Sequence, residues 1–477
     1  EALAHLGHRI GDPELVPAGG LDPQPVAPSV YAESTEPERP AEPEIQFLSV
    51  LLPGHGAVVT LPPDVQRDPA FHDARADKAL DHLITDREGE EQYGDLLPWF
   101  SADKQIVTLS RFPHFDYLAP AYFHLQDERY AAAMVRDMLD FVEHVPVAAA
   151  EGYHVQMDLR TNPWNWVLLQ WRVKRWIDAL AYLCDSPSLS DADYLRVVLH
   201  ILEEIEWVNP RKVLGLHNGT LGNLSAILYA ASSFPEFTAS GPWIGEAGSF
   251  YAAFLDTAFY PGEFLVELTL GYSEGTLLMC LDLYEALPES VLKVQVADKL
   301  QRLVDAHIGM MKPDRSLPRY GDHGAYDMRD RIMLRAAALF DRPDYRLLAD
   351  DPAAANQYLP VASFPRASDP YYLSGYYAMR DGWDSGANYL SIDAGPFGTN
   401  HHHGDKLSIT ISADGADFIV DPGTSLYRSI APGPRIDQRP GFLLNVMTVN
   451  GDDPNTGWER HYGCDVIDNR WVTTPTY

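Results

Sequence analysis

Apolar residues change their repeat once along this 477-residue chain, and that single change limits the folds open to it. From about residue 70 to 345 they recur at three- and four-residue steps. Tyr130 to Val142, Trp166 to Leu180, Tyr194 to Leu202 and Arg331 to Phe340 each carry the stripe of an amphipathic helix. Short connections bearing Pro or Gly join these stretches, which predicts helical hairpins packed side by side, an arrangement an α/α toroid satisfies. After about 370 the repeat becomes two. Tyr376 to Arg380, Asn388 to Asp393, Lys406 to Ser412, Asp417 to Val420 and Val446 to Val449 predict short strands parted by Gly, Asp and Pro. Helices first and strands afterwards predict two segregated domains, an incomplete N-terminal α/α toroid and then an antiparallel β-sandwich.

Residues 1–45, rich in Pro, Glu and Ala, have little to bury and are expected to form an extended arm or linker. The toroid is placed at 46–365 and the sandwich at 366–477. This last segment is short for two packed sheets, so the sandwich is expected to continue past Tyr477. Glu1 rather than Met opens the chain, as after removal of a signal peptide or after trimming. A periplasmic or secreted location is the expectation.

Charge narrows the partners. A net charge of −32 argues against non-specific binding to nucleic acid or to an anionic membrane surface. No apolar run approaches the roughly 20 residues of a membrane span. An acidic substrate would have to be drawn by local basic groups in a cleft. Cys184, Cys280 and Cys464 are far apart and lack CxxC spacing, so neither a disulfide framework nor a cysteine metal site is expected.

The densest chemistry lies between Phe397 and Thr424. His401 and His403, two residues apart, are expected on one face of an extended strand. A hairpin would return Asp421 towards His403, as a His/carboxylate zinc or calcium site requires. A three-histidine run also occurs in purification tags, but tags sit at termini, and solvated loop histidines are the other plain reading. Elsewhere Asn218 follows Gly215-Leu-His and could be a helix N-cap. Tyr272 could be an ordinary amphipathic core residue.

Three stretches in this order, Leu216 to Phe237, Gly262 to Tyr272 and His401 to Gly423, resemble the heparinase II/III-like polysaccharide lyases and their alginate-lyase relatives. Thr161 to Trp166 and Pro318 to Asp322 agree more loosely, and the resemblance covers about 105 to 450. It implies an enzyme that acts by β-elimination on a uronic-acid polymer such as a glycosaminoglycan or alginate. The C5 proton leaves first and the 4-O-linked sugar follows. By family position Asn218 would neutralise the substrate carboxylate, Tyr272 would carry the proton, and His401 would act as base or polarise the carboxylate. His217, Glu267, Arg160, Arg319 and the additional His402 would contact substrate, with Glu267 also able to orient Tyr272 or arginines. Arg331 joins Arg160 and Arg319 as a source of positive charge in the cleft.

The resemblance further implies one structural divalent ion, zinc or calcium, held by His403 and Asp421, and no organic cofactor. Leu444 stands where the family has a third ligand, so either His461 supplies it from further along or the site is weak or empty. A homodimer is compatible with the sequence. Two other classes stay open: a toroidal glycoside hydrolase using Glu267 and Asp322 as a carboxylate pair, and a non-catalytic carbohydrate-binding protein on the same scaffold.

Overall fold

The computed structural model describes residues 67–423 and Val446, apart from 87–88, 95–96, 101–108, 148–162, 213, 261, 325, 360–373, 397 and 399–400. The expected arm at 1–45, the 365/366 boundary, Arg160, Leu444 and His461 therefore lie outside the described residues.

Eight helices carry the first domain: α2 Phe115–Leu125, α3 Glu128–His144, α4 Trp166–Tyr182, α5 Asp191–Val208, α6 Asn218–Ser233, α7 Ser240–Thr257, α8 Leu270–Ala286 and α9 Val291–Met310. Short side chains set their starts. Asp127 caps α3, Ser190 caps α5 and Ser290 caps α9, each accepting a main-chain N–H of the first turn. Helices α2, α4, α6 and α8 neighbour one another in turn and form one layer, while α3 with α5 and α7 with α9 form pairs on the other side. This is the toroidal hairpin arrangement that the three-and-four repeat predicts.

Helix α6 shows why the layers can close. From Gly219 to Ser233 every residue except Ser225 is buried. Gly219, Gly222, Ala226, Ala230 and Ala231 keep its surface shallow, so α4, α7 and α8 pack directly against it. A small hairpin, β1 Leu83–Asp86 with β2 Gly89–Gln92, follows a short helix α1 Ala74–Ala79; the periodicity had not announced it. Short helices α10 Leu334–Phe340, α11 Pro343–Asp350 and α12 Pro352–Tyr358 come after a π-helical turn at Arg329–Met333. Among the described residues no helix is long and apolar enough to cross a membrane.

A buried ion pair ties the domain together. Arg172 on α4 and Glu204 on α5 are both 0% exposed, and Arg172 Nε donates to Glu204 Oε1 at 2.9 Å. Arg172 also donates to the carbonyls of Ser110 and Pro163, which fastens the approach to α4. Removing one member strands the other charge in the interior. Glu204→Gln is therefore expected to lower the unfolding free energy by about 3–5 kcal/mol. Denaturant unfolding checks this, and the Arg172→Met/Glu204→Leu double variant should lose less than the two single losses combined.

The second domain shows one antiparallel sheet in the order β3 Tyr376–Arg380, β4 Tyr389–Asp393, β5 Ile409–Ala413, β6 Ala416–Ile419. It supplies one layer of the expected sandwich. Its tyrosines dock it on the helices. Tyr376 donates to the Leu268 carbonyl at 2.6 Å, just ahead of α8, and Tyr389 to the Met310 carbonyl at 2.7 Å, at the end of α9. Lys312 reaches Asp417 at 2.8 Å. The period-two stretches at Tyr376, Tyr389 and Asp417 do form strands, but β5 begins only at Ile409. Residues 401–404 belong to no strand, and Val446 belongs to none either.

Candidate active site

The neighbouring helices α6 and α8 begin at one end of their layer, with Asn218 the first residue of α6 and Tyr272 the third of α8. Helix starts leave N–H groups unpaired and carry the positive end of the helix dipole. At α6 the cap is His217, not Asn218. His217 is extended, and its Nδ1 accepts the Gly219 N–H at 3.1 Å. Burial lowers the His217 pKa, which keeps the ring neutral and able to accept. The amide of Asn218 is thereby not used for capping.

The sheet domain brings the histidine run to the same place. His401 adopts a left-handed backbone, φ 58°, rather than the strand geometry the spacing predicts. Its carbonyl accepts the Asp322 N–H at 2.9 Å. Asp322 then gathers both imidazoles, with Oδ2 2.8 Å from His401 Nδ1 and Oδ1 2.9 Å from His403 Nε2. The two histidines do converge, but through this carboxylate and not through a shared strand face.

Gly321 makes the approach feasible: its φ is +73°, and a Cβ there would stand 2.6 Å from Thr269 Cβ and 3.0 Å from the His401 carbonyl oxygen. Its N–H donates to Asp405 Oδ2 at 2.7 Å.

Across the domain junction the Tyr272 and His401 rings stack with centroids 3.7 Å apart and planes 13° from parallel. Burial pushes the Asp322 carboxyl up, yet the two imidazoles outweigh it and hold the group well below the usual carboxylate range. An ionised Asp322 accepts the Nδ1–H of His401, which leaves Nε2 as the nitrogen that can exchange a proton. For His403 burial works the other way and lowers basicity, but Asp322, Asp405 and Asp421 win and raise its pKa.

Other expected residues fall in different places. Glu267 is 1% exposed; its Oε1 accepts the Asn218 N–H at 3.3 Å, and burial pushes its carboxyl up to about 7. His402 is 3% exposed, so it is enclosed in the protein and not offered to substrate. Arg319 is exposed, and Arg331 donates to Glu274 at 2.8 Å while its guanidinium lies 4.5 Å from the Tyr326 ring centroid.

Of the expected metal ligands His403 and Asp421 are described, while His461 is not. His403 is engaged with Asp322, and Asp421 accepts from Ser408 Oγ at 2.8 Å and from Gly423 N at 3.0 Å. Among the described residues no group of three or more His, Cys, Asp or Glu could hold a metal ion. No step below is routed through one.

The arrangement offers an amide at a helix start, a phenol stacked on an imidazole, and a carboxylate that orients the imidazole. That set suits proton abstraction beside a carboxylate. It does not suit a hydrolase pair, because both Asp322 oxygens are spent on histidines and Glu267 is enclosed. Sequence reasoning named Asp322 only for that hydrolase pair and missed its orienting part. The one signal was the Tyr320-Gly-Asp322 turn, whose partners lie some eighty residues further on, at separations of 79 and 81.

Comparison with known proteins shows the family and the fold. A family model described as Heparinase II/III N-terminus matches residues 64–345, and one described as Heparinase II/III-like, C-terminal, matches residues 365–442. Two similar curated proteins are both called heparin-sulfate lyase. The one from Pedobacter heparinus is 22% identical over 375 residues, 74% of this chain and 53% of its own length. The one from Bacteroides stercoris is 21% identical over 418 residues, 79% of this chain and 59% of its own. This chain thus spans a little over half the length of these relatives. Among solved structures, a crystal structure of heparinase III has a TM-score of 0.67 at 15% identity, covering 82% of this chain and 65% of that one. Heparan sulfate lyase from Pedobacter heparinus has a TM-score of 0.55 at 22% identity, covering 76% and 59%. At such identities the likeness establishes the fold, a helical toroid followed by an antiparallel sheet domain.

Proposed function

The chain belongs to the heparinase II/III family, and from that premise we propose that it is a polysaccharide lyase cleaving a uronic-acid-containing glycosaminoglycan by β-elimination. The observation that carries this reading is the Tyr272–His401 stack, with His401 held by Asp322 and Asn218 at the adjoining helix start. A C5 proton is only weakly acidic beside an ionised carboxylate. Amide donors from Asn218 and the positive end of α6 would bind that carboxylate and its enediolate form. The Tyr272–His401 pair would take the C5 proton. The C5–H electrons form the C4–C5 double bond, the C4–O4 bond breaks, and O4 leaves with a proton returned through the phenol. The two relatives called heparin-sulfate lyase support a sulfated glycosaminoglycan as the polymer.

The test is incubation with heparan sulfate, chondroitin, hyaluronan and alginate while following ultraviolet absorbance. A rise from the new C4–C5 double bond supports the lyase. New reducing ends without absorbance would instead mean hydrolysis, and no cleavage of any of the four would end the proposal.

Arg319 gives a further expectation. An exposed guanidinium suits carboxylates and sulfates, and a hydrogen bond to a charged group is worth about 1.5–3 kcal/mol. Arg319→Ala should therefore raise KM about ten- to a hundredfold with a smaller change in kcat. Initial rates over a range of polymer concentrations check this, and an unchanged KM would remove Arg319 from the cleft.

A further inference from the structure

We propose that Glu267 positions Asn218 as an uncharged carboxyl, so that the substrate carboxylate meets the start of α6 without a second negative charge behind it. The proposal rests on the lyase reading above.

Geometry carries it. Glu267 sits in the loop that leads into α8, and its main chain is held from the sheet domain. Tyr376 donates to the next carbonyl, that of Leu268, and Gly398 packs so tightly that a Cβ there would collide with the Glu267 carbonyl. From that fixed point the side chain reaches under α6. Oε1 accepts the Asn218 N–H at 3.3 Å, while Oε2 is buried with no hydrogen-bond partner among the described residues.

The titratable groups facing it are His401 from the histidine run and Asp322 from the segment beneath that run, and α6 presents the Asn218 N–H. An ionised carboxylate in this position would keep one long bond and one unsolvated oxygen, which is costly. Burial accordingly pushes the carboxyl up to about 7, with His401 and the Asn218 N–H pulling down and Asp322 pushing up. A substrate carboxylate at Asn218 adds another negative charge and favours the neutral form further.

The sign follows. Glu267 is uncharged below about 7 and charged above it, so substrate affinity should fall as pH rises through that value. Affinity of a heparan sulfate oligosaccharide for the Tyr272→Phe protein is measured from pH 5 to 9. We expect it to be level at first and then to weaken by up to about tenfold per pH unit. Adding Glu267→Gln should flatten the profile, because the amide is neutral throughout. A second measurement does not depend on substrate. The unfolded-state carboxyl ionises near 4.5 and the folded one near 7, so the Tm of Glu267→Gln should gain on that of the wild type between those values and keep the gain above them.

In turnover, Glu267→Ala should lose the anchor and Glu267→Gln should recover most of the lost kcat. A Glu267→Gln affinity profile that still falls above pH 7, a Tm difference that does not change with pH, or a Gln variant as slow as Ala would each overturn the proposal. Failure of the lyase reading looks different: no unsaturated product from the wild type, whatever the Tm comparison returns.

Discussion

Tyr272→Phe should abolish formation of the unsaturated product while leaving oligosaccharide affinity within about twofold of wild type, because only the proton-carrying hydroxyl is removed. The ring that stacks on His401 at 3.7 Å stays in place, so the junction between the helical and sheet domains is preserved. Proton transfer by one positioned group is worth about a hundred- to ten-thousandfold, and a phenol that both accepts and returns a proton belongs at the upper end. Residual turnover above about a tenth of wild type, less than the smallest loss such a group allows, would reduce Tyr272 to a packing residue. The proton-carrying part would then pass to His401 and its neighbours.

Asp322→Asn is expected to have an effect of similar size through a different route. The amide keeps the shape of the carboxyl but not its charge, and it no longer compels the Nδ1–H tautomer of His401. A wrongly poised imidazole costs about a hundred- to ten-thousandfold in kcat. KM should change much less, since Asp322 is buried. Because Asp322 also holds His403, the folded state of the variant is checked by circular dichroism. The Asp322→Asn/His401→Ala double variant separates the roles. If Asp322 acts through His401, the double variant is scarcely slower than His401→Ala alone; if it acts only on the fold, the two losses add.

How much of this was legible beforehand differs from element to element. Helices α3, α4 and α5 and strands β3 and β4 followed from their repeats, because a stripe or an alternation records which side meets the core. Tyr272 and His401 were named from motif order, and the structure brings them into contact. The histidine run was misjudged as a strand. Spacing of two is compatible with one strand face, but His401 turns left-handed where its carbonyl meets Asp322, and no local pattern reports that bond. Asn218 could likewise be taken for a cap until His217 was seen to fill that place from the preceding position.

Composition, repeat and motif order by themselves determined the class of fold, its order from helices to strands, and the family whose motifs name the proposed site residues. Those are local properties, written in neighbours a few positions apart. Tertiary structure alone decided that Asp322 meets two histidines, that Glu267 and His402 are enclosed, and that His403 Nε2 faces Asp322 while Asp421 accepts from Ser408. Each of these depends on where segments far apart in the chain come to rest and on how much water is left between them. Burial and a newly met partner set the charge and direction of a side chain more strongly than its own identity does.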